Sequence, residues 1–376
     1  MVRSKSENPP DIVAWDVADR VARQLLLRSK PLDATTFAAV SADVDELTPL
    51  AEQLVSNATG LTSMAGPTRI RVVDRADWVT ANVASFRRLL VPLASRLAET
   101  PSFSKALAPA SRAVSGAEVG ALLAWMSGRV LGQYDLLGPV GPQVVDSAGG
   151  AAGGSVGDIV YFVGSNIVEL ERRHGFAPRE FRLWIALHEV THRMQFTGVP
   201  WLREHFLGLV ERGTSMATPD AKVVLDALRR AVTELREGRN PLADGGVVGL
   251  IASSEQLATL REAQALMSLL EGHGDVVMGL AGADRIPGAA RFAETLRRRR
   301  ESASGVSRAI LQVTGMEAKM RQYSQGETFV ERVRAIGGDE LFSAVWTAPE
   351  MLPSHDEIQF PDAWIARVGG AAPARA

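Results

Sequence analysis

The chain has no cysteine, which excludes disulfides, thiolate metal sites and cysteine nucleophiles and fits a reducing compartment. It has no excess charge of either sign: 41 Lys and Arg stand against 43 Asp and Glu, a formal charge of −2. No global field therefore draws it to nucleic acid or to acidic lipid. Long apolar runs are also missing. Nothing reaches the roughly 18 uncharged apolar residues of a membrane span, and residues 245–253 are apolar but too short. Residues 1–16 carry charge and two prolines where a secretory leader needs an apolar core, and a twin-arginine export signal is absent. The expected location is the cytoplasm. No Gly-x-x-x-x-Gly-Lys-Ser/Thr phosphate loop and no Gly-x-Ser-x-Gly elbow occurs. Residues 149–154 are glycine-rich but lack dinucleotide-loop spacing.

What is present belongs to a soluble globular protein: 46% of the 376 residues are hydrophobic and 22% charged, enough to bury a sizeable core. The pattern is mainly helical. Residues 11–28 put Val13, Val17, Val21, Leu25 and Leu26 on one stripe, and residues 41–56, 74–99 and 116–131 behave likewise. Trp15, Trp78 and Trp125 are expected to anchor the core. Residues 146–157 are rich in glycine and break any element. Residues 158–164, β-branched and aromatic, form the clearest strand, followed by a short helix over 167–173. Beyond Trp201 the spacing predicts helices over 201–212, 218–236, 254–278, 289–300, 307–323 and 327–336. A loop is expected over 282–287 and a frayed end at 369–376. The run Arg297–Arg300 points in four directions around its helix and reads as a solvated face.

The feature around which these elements are arranged is Leu187-His188-Glu189-Val190-Thr191-His192. It lies in a helix that Pro178 opens and Gly198 with Pro200 closes. Histidines four apart share a helix face, so His188 and His192 can aim at one zinc ion. Glu189, about 100° round from His188, can take a proton from water activated there. The strand just before this helix could hold a substrate backbone by strand addition to its edge.

A catalytic zinc needs a third protein ligand. The extended three-histidine pattern would require glycine at Gln195 and histidine at Gly198, and both fail. A later helix supplies Glu271 as the expected ligand, with His273 and then His205 as rivals. Asp275, four residues on, is expected to accept the spare imidazole N–H of a ligand histidine. Gly272 and Gly274, each costing about 1 kcal/mol in a helix relative to alanine, make sense if this helix approaches another backbone closely. An oxyanion donor in such sites is usually a Tyr or a His; of the three tyrosines, Tyr134, Tyr161 and Tyr323, Tyr323 is the first choice. His174 and His355 read as surface or structural residues. Arg182 and Arg193 could bind a substrate carboxylate or form salt bridges.

The segments Leu187–Phe196 (LHEVTHRMQF), Leu270–Met278 (LEGHGDVVM), Lys319–Gly326 (KMRQYSQG) and Leu352–Trp364 (LPSHDEIQFPDAW) resemble those of a largely actinobacterial family of zincin-like hydrolases or zinc-dependent metalloproteases. One branch of that family bears a name tying it to biosynthesis of a deazaflavin coenzyme. The resemblance runs from the first helix to Trp364. The chain departs from it at Gly274 and Gly279, where bulkier or acidic residues are expected. It implies a zincin-like catalytic region in a mainly helical protein and names no substrate.

The expected fold is therefore mainly α with a small β-sheet (α+β), with an N-terminal helical region 1–145 and a zincin-like catalytic region 146–376 packed as one compact unit. The expected function is a zinc-dependent hydrolase acting on a peptide or amide, with Glu189 as base and Tyr323 assisting. His188, His192 and Glu271 hold Zn2+, and neither nucleic acid nor membrane is a partner. The alternative is a non-catalytic, metal-stabilised binding or scaffold protein.

Overall fold

The computed structural model describes residues 11–98, 108–137, 158–215, 254–301 and 316–369. The glycine-rich break at 146–157, the boundary at 145, the helix at 218–236 and the end at 370–376 lie outside the described residues. In chain order come α1 (Trp15–Leu26), α2 (Ala34–Thr59), β1 (Arg69–Val73), α3 (Arg75–Ala98), α4 (Pro109–Ser127), β2 (Gly132–Asp135) and β3 (Ile159–Val163). There follow α5 (Gly164–His174), α6 (Pro178–Gly198), α7 (Leu202–Ser215), α8 (Ser254–Gly282), α9 (Ala289–Glu301), α10 (Met316–Ser343), α11 (His355–Gln359) and α12 (Pro361–Gly369). The fold is mainly helical with one small sheet, as the sequence pattern indicates. The chain packs as two compact units, one of Met1–Leu54 with Thr62–Arg193 and one of Val55–Leu61 with Met194–Ala376.

In the first unit the sheet has the order β1-β3-β2, with β3 parallel to β1 and antiparallel to β2. The strand that the sequence marks most clearly is thus central, with a neighbour on each side. It cannot offer the open edge expected of it; β2 has a neighbour on one side only among the described residues. The sequence reading marked neither flanking strand: β1 (RIRVV) is as long as β3 and carries β-branched residues, whereas β2 (GQYD) has four residues and contains glycine and aspartate, which disfavour strands. The conformation of β2 comes from pairing with β3. Tyr161 and Val163 leave one face of β3 and pack with Trp78, Val79 and Leu123.

The stripe proposed over residues 11–28 is buried only in part: Val13 is buried and Leu26 packs against the core, while Val17 and Val21 are half-buried. Trp15, Ala18 and Ala22 face inward, and Leu25 is 58% exposed. The cause lies in α4. A Cβ on Gly116 would stand 2.4 Å from the Ala14 carbonyl oxygen, and one on Gly120 2.3 Å from that of Ala18. The two backbones meet through their small residues, so the small-residue face packs closest. Trp15 and Trp78 are buried as expected. Trp125 is only half-buried, and the Arg129 guanidinium lies 3.9 Å over its ring.

The second unit is built on α8 crossing α10. A Cβ on Gly272 would meet the Gly326 carbonyl carbon at 2.1 Å, and one on Gly326 would meet the Ser268 oxygen at 1.8 Å. This is the close approach that Gly272 implies. Around it Leu269, Phe329, Val330, Val333, Phe342, Val345, Ile358 and Trp364 form one core. α10 is broken at Gly338 (φ 66°), where two helices meet across a kink. The helix expected over 327–336 therefore ends close to that break but begins earlier, joined to the described part of the helix expected over 307–323; residues 307–315 lie outside the described residues. Ser354 and Glu357 cap α11 reciprocally, which satisfies two N-terminal donors. Arg297 and Arg298, on α9, both bond Glu294. No described helix is long and apolar enough to cross a membrane.

Candidate metal centre

α6 carries the two histidines at neighbouring turns, and their rings meet edge to face with centroids 4.5 Å apart. The two Nε2 atoms converge to 3.1 Å. Among the described residues one group of side chains has the composition and spacing of a metal cage. His188, His192 and Glu271 each bring a ligand atom within 4.8 Å of the others, and all three are half-buried. Two nitrogens each about 2.0–2.1 Å from one tetrahedral zinc lie about 3.3 Å apart, close to the separation seen. Two imidazoles and a carboxylate are also a donor set that suits zinc. The residues fit the ion that the motif implies.

The remaining faces of α6 hold the helix in place. Leu187 and Val190 are buried, and the Thr191 hydroxyl returns 2.7 Å to the Leu187 carbonyl. Arg193 is 0% exposed and forks onto Asp158 with two bonds of 2.7 Å. It also donates to Glu52 Oε1 at 2.9 Å, to Thr68 Oγ1 and to the Gly66 carbonyl. Arg182 is similarly committed, to Glu171 and Asp43. Of the two readings for these arginines, the salt bridge is the one observed.

Glu189 is 6% exposed. Its side chain lies against β2: a Cβ on Gly132 would stand 2.5 Å from both Cγ and Oε1 of Glu189. The absent side chain at 132 is therefore what makes room for the carboxylate. Because the Val163 N–H donates to the Leu131 carbonyl at 2.8 Å, alternate residues Gln133 and Asp135 face β3. Gly132 and Tyr134 turn their backbone groups to the outer edge. Strand alternation also sends the Tyr134 side chain to the face of the sheet that Gly132 shares with Glu189.

The rival ligands are used elsewhere. His273 is buried with Nδ1 2.9 Å from the Gln195 amide nitrogen, stacked on Phe342 and edge-on to Trp346. His205 packs edge-on to Trp201, and burial, helped by Arg212 and partly opposed by Glu262 and Glu350, lowers its pKa. His174 stacks on Phe176, and His355 lies 2.9 Å from the Gln359 amide. Asp275 lies one turn beyond Glu271 on α8 and is half-buried. Tyr161 is removed from the site by its place in the core; burial, then the Asp135 charge, push its phenol pKa up against the pull of Arg71 and Arg69. Tyr323 lies within α10, but its side chain lies outside the described residues. Gly132 and Gln195 were the residues that pattern reading passed over. A glycine opening a four-residue strand carries no signal of its own, and Gln195 registers there only as a missing glycine.

The family described as zincin-like metallopeptidase matches residues 13–365. A solved structure from Chloroflexus aurantiacus, described as "a putative hydrolase with a novel fold", is 30% identical. It superposes with a TM-score of 0.68 over 95% of this chain and 99% of that one. Among curated proteins none matches. Family and neighbour together support a metal-dependent hydrolase. With a match that takes in all but the two ends of the chain, this protein belongs to the zincin-like metallopeptidase family.

Proposed function

We propose that the protein is a zinc-dependent hydrolase of peptide or amide bonds, with His188, His192 and Glu271 as metal ligands and Glu189 as general base. The observation that carries this reading is the convergence of the two Nε2 atoms at 3.1 Å with a Glu271 oxygen in the same group. A zinc ion held there supplies Lewis acidity, lowering the pKa of water and polarising a carbonyl. Glu189, resting against Gly132, takes the proton of the attacking water and returns it to the leaving nitrogen. The outward backbone groups of Gly132 and Tyr134 suit an extended peptide added as a strand beside β2. Asp275, one turn beyond Glu271, is the residue read as orienting a ligand histidine. For the oxyanion, Tyr134 shares the Glu189 face of the sheet, and Tyr323 is the donor that the sequence favours.

Two features favour a scaffold instead, the glycines beside Glu271 and the lack of an obvious oxyanion donor; of these, Gly272 is accounted for by the helix crossing. The test combines zinc content with a peptide-library screen, with and without chelator. Wild type should carry about one zinc and cleave in a chelator-sensitive way. Glu189→Gln should keep the metal and lose cleavage, and Glu271→Ala should lose stoichiometric zinc. Full activity in Glu189→Gln refutes the base; absence of any chelator-sensitive cleavage by wild type favours the scaffold.

A further inference from the structure

We infer that Gln195 is a positioning residue of the metal centre, fixing where α8 presents Glu271; this rests on the reading of Glu271 as a ligand. Gln195 is 0% exposed and lies three residues beyond His192, on a neighbouring strip of the same helix. Its amide nitrogen is 3.0 Å from the Leu270 carbonyl oxygen and 2.9 Å from His273 Nδ1. An amide NH2 has two protons, and both are spent on α8. The His273 ring must then accept at Nδ1 and carry its own proton on Nε2.

The Leu270 carbonyl is half of the peptide unit that begins Glu271. A bond to it therefore sets the height and rotation of Glu271 directly, with no intervening side chain to flex. The second anchor is stiff as well, because His273 is stacked on Phe342 and edge-on to Trp346, both at 5.2 Å. One residue further along, the Gly272–Gly326 crossing prevents α8 from sliding. A motif whose third ligand follows within a few residues of the helix needs no such tie. This chain takes it from another helix, and Gln195 supplies the tie from within α6.

The test measures zinc affinity by chelator competition on metal-stripped protein, together with the apo melting temperature, Tm. Gln195→Met keeps the bulk and removes both N–H donors; it should weaken zinc binding by about 10–100-fold. Val333→Ala, a cavity in the same core, should lower Tm and leave zinc affinity unmoved. Should Gln195→Met not fold, His273→Phe keeps a ring between Phe342 and Trp346, removes the acceptor and should shift affinity in the same direction. Unchanged affinity in the Gln195 variant beside a loss in Glu271→Ala overturns the inference and leaves the proposed ligands standing. A loss no greater than that of Val333→Ala at equal Tm also overturns it. Unchanged affinity in Glu271→Ala refutes the ligand reading and the inference with it.

Discussion

Replacing Gly132 with alanine perturbs Glu189 without touching its chemistry, and the structure sets the size of the effect. The new methyl carbon would stand 2.5 Å from Cγ and Oε1 of Glu189 and 2.7 Å from Cδ. Carbon contacts are comfortable at about 3.5 Å, so carboxylate and strand must separate by about 1 Å. The strand is held by β3, so the side chain is the part that moves. Misplacement of a reacting group by about 1 Å costs about 100-fold in rate, or about 2.7 kcal/mol of barrier. Gly132→Ala should therefore lower kcat by about two orders of magnitude while zinc stoichiometry stays at the wild-type value. Overpacking of this kind costs about 1–3 kcal/mol of stability, so the variant should remain folded. The assay is chelator-sensitive cleavage of the best library peptide, with metal content measured on the same sample. Gly279→Ala, where a Cβ would meet nothing within 4 Å, is the control. Wild-type kcat in a folded, zinc-loaded Gly132→Ala protein would refute the placement of Glu189 as base.

Two further outcomes concern stability. Arg193→Met should strand the Asp158 and Glu52 carboxylates without their cation, costing about 3–5 kcal/mol; a calorimetric Tm should fall by roughly 10 °C, and an unchanged Tm would show that the cluster is not a buried ion network. Glu357 titrates below the ordinary glutamate range: burial raises its pKa, but the Arg367 bond and charge and the Ser354 N–H outweigh burial. A lowered carboxylate stabilises above its unfolded pKa, about 4.3, and that stability is lost as pH falls through the folded value. The Tm gap between wild type and Glu357→Gln should therefore be full at neutral pH and close in acid; a gap that widens in acid has the wrong sign.

The histidine pair on α6 was legible because four-residue spacing on a helix is a local property, needing no knowledge of tertiary contacts. Glu271 was legible because an acidic residue set among apolar neighbours is unusual, and the glycine after it signalled the close crossing that Gly326 completes. The edge strand was not legible. GQYD lacks every strand preference, and its conformation is imposed from outside by β3. The small-residue face of α1 was missed for a similar reason, since Ala18 and Ala22 carry little apolar signal and the partner helix meets them with glycines rather than a hydrophobic groove. In both cases the deciding information sits on another segment of the chain.

Between Leu187 and Gln195 every residue except the two histidines is buried. Glu189, Arg193 and Gln195 have specific neighbours at β2, at Asp158 with Glu52, and on α8. This segment has no solvent face on which variation is free. Relatives that share its architecture should therefore be recognisable by a signature longer than the His-Glu-x-x-His pentad. In this chain it reads His-Glu-x-x-His-Arg-x-Gln, accompanied by an acid-before-glycine pair on a later helix and an isolated glycine ahead of the central strand. Searching with those spaced positions should separate proteins built this way from helices in which His-Glu-x-x-His arises by chance.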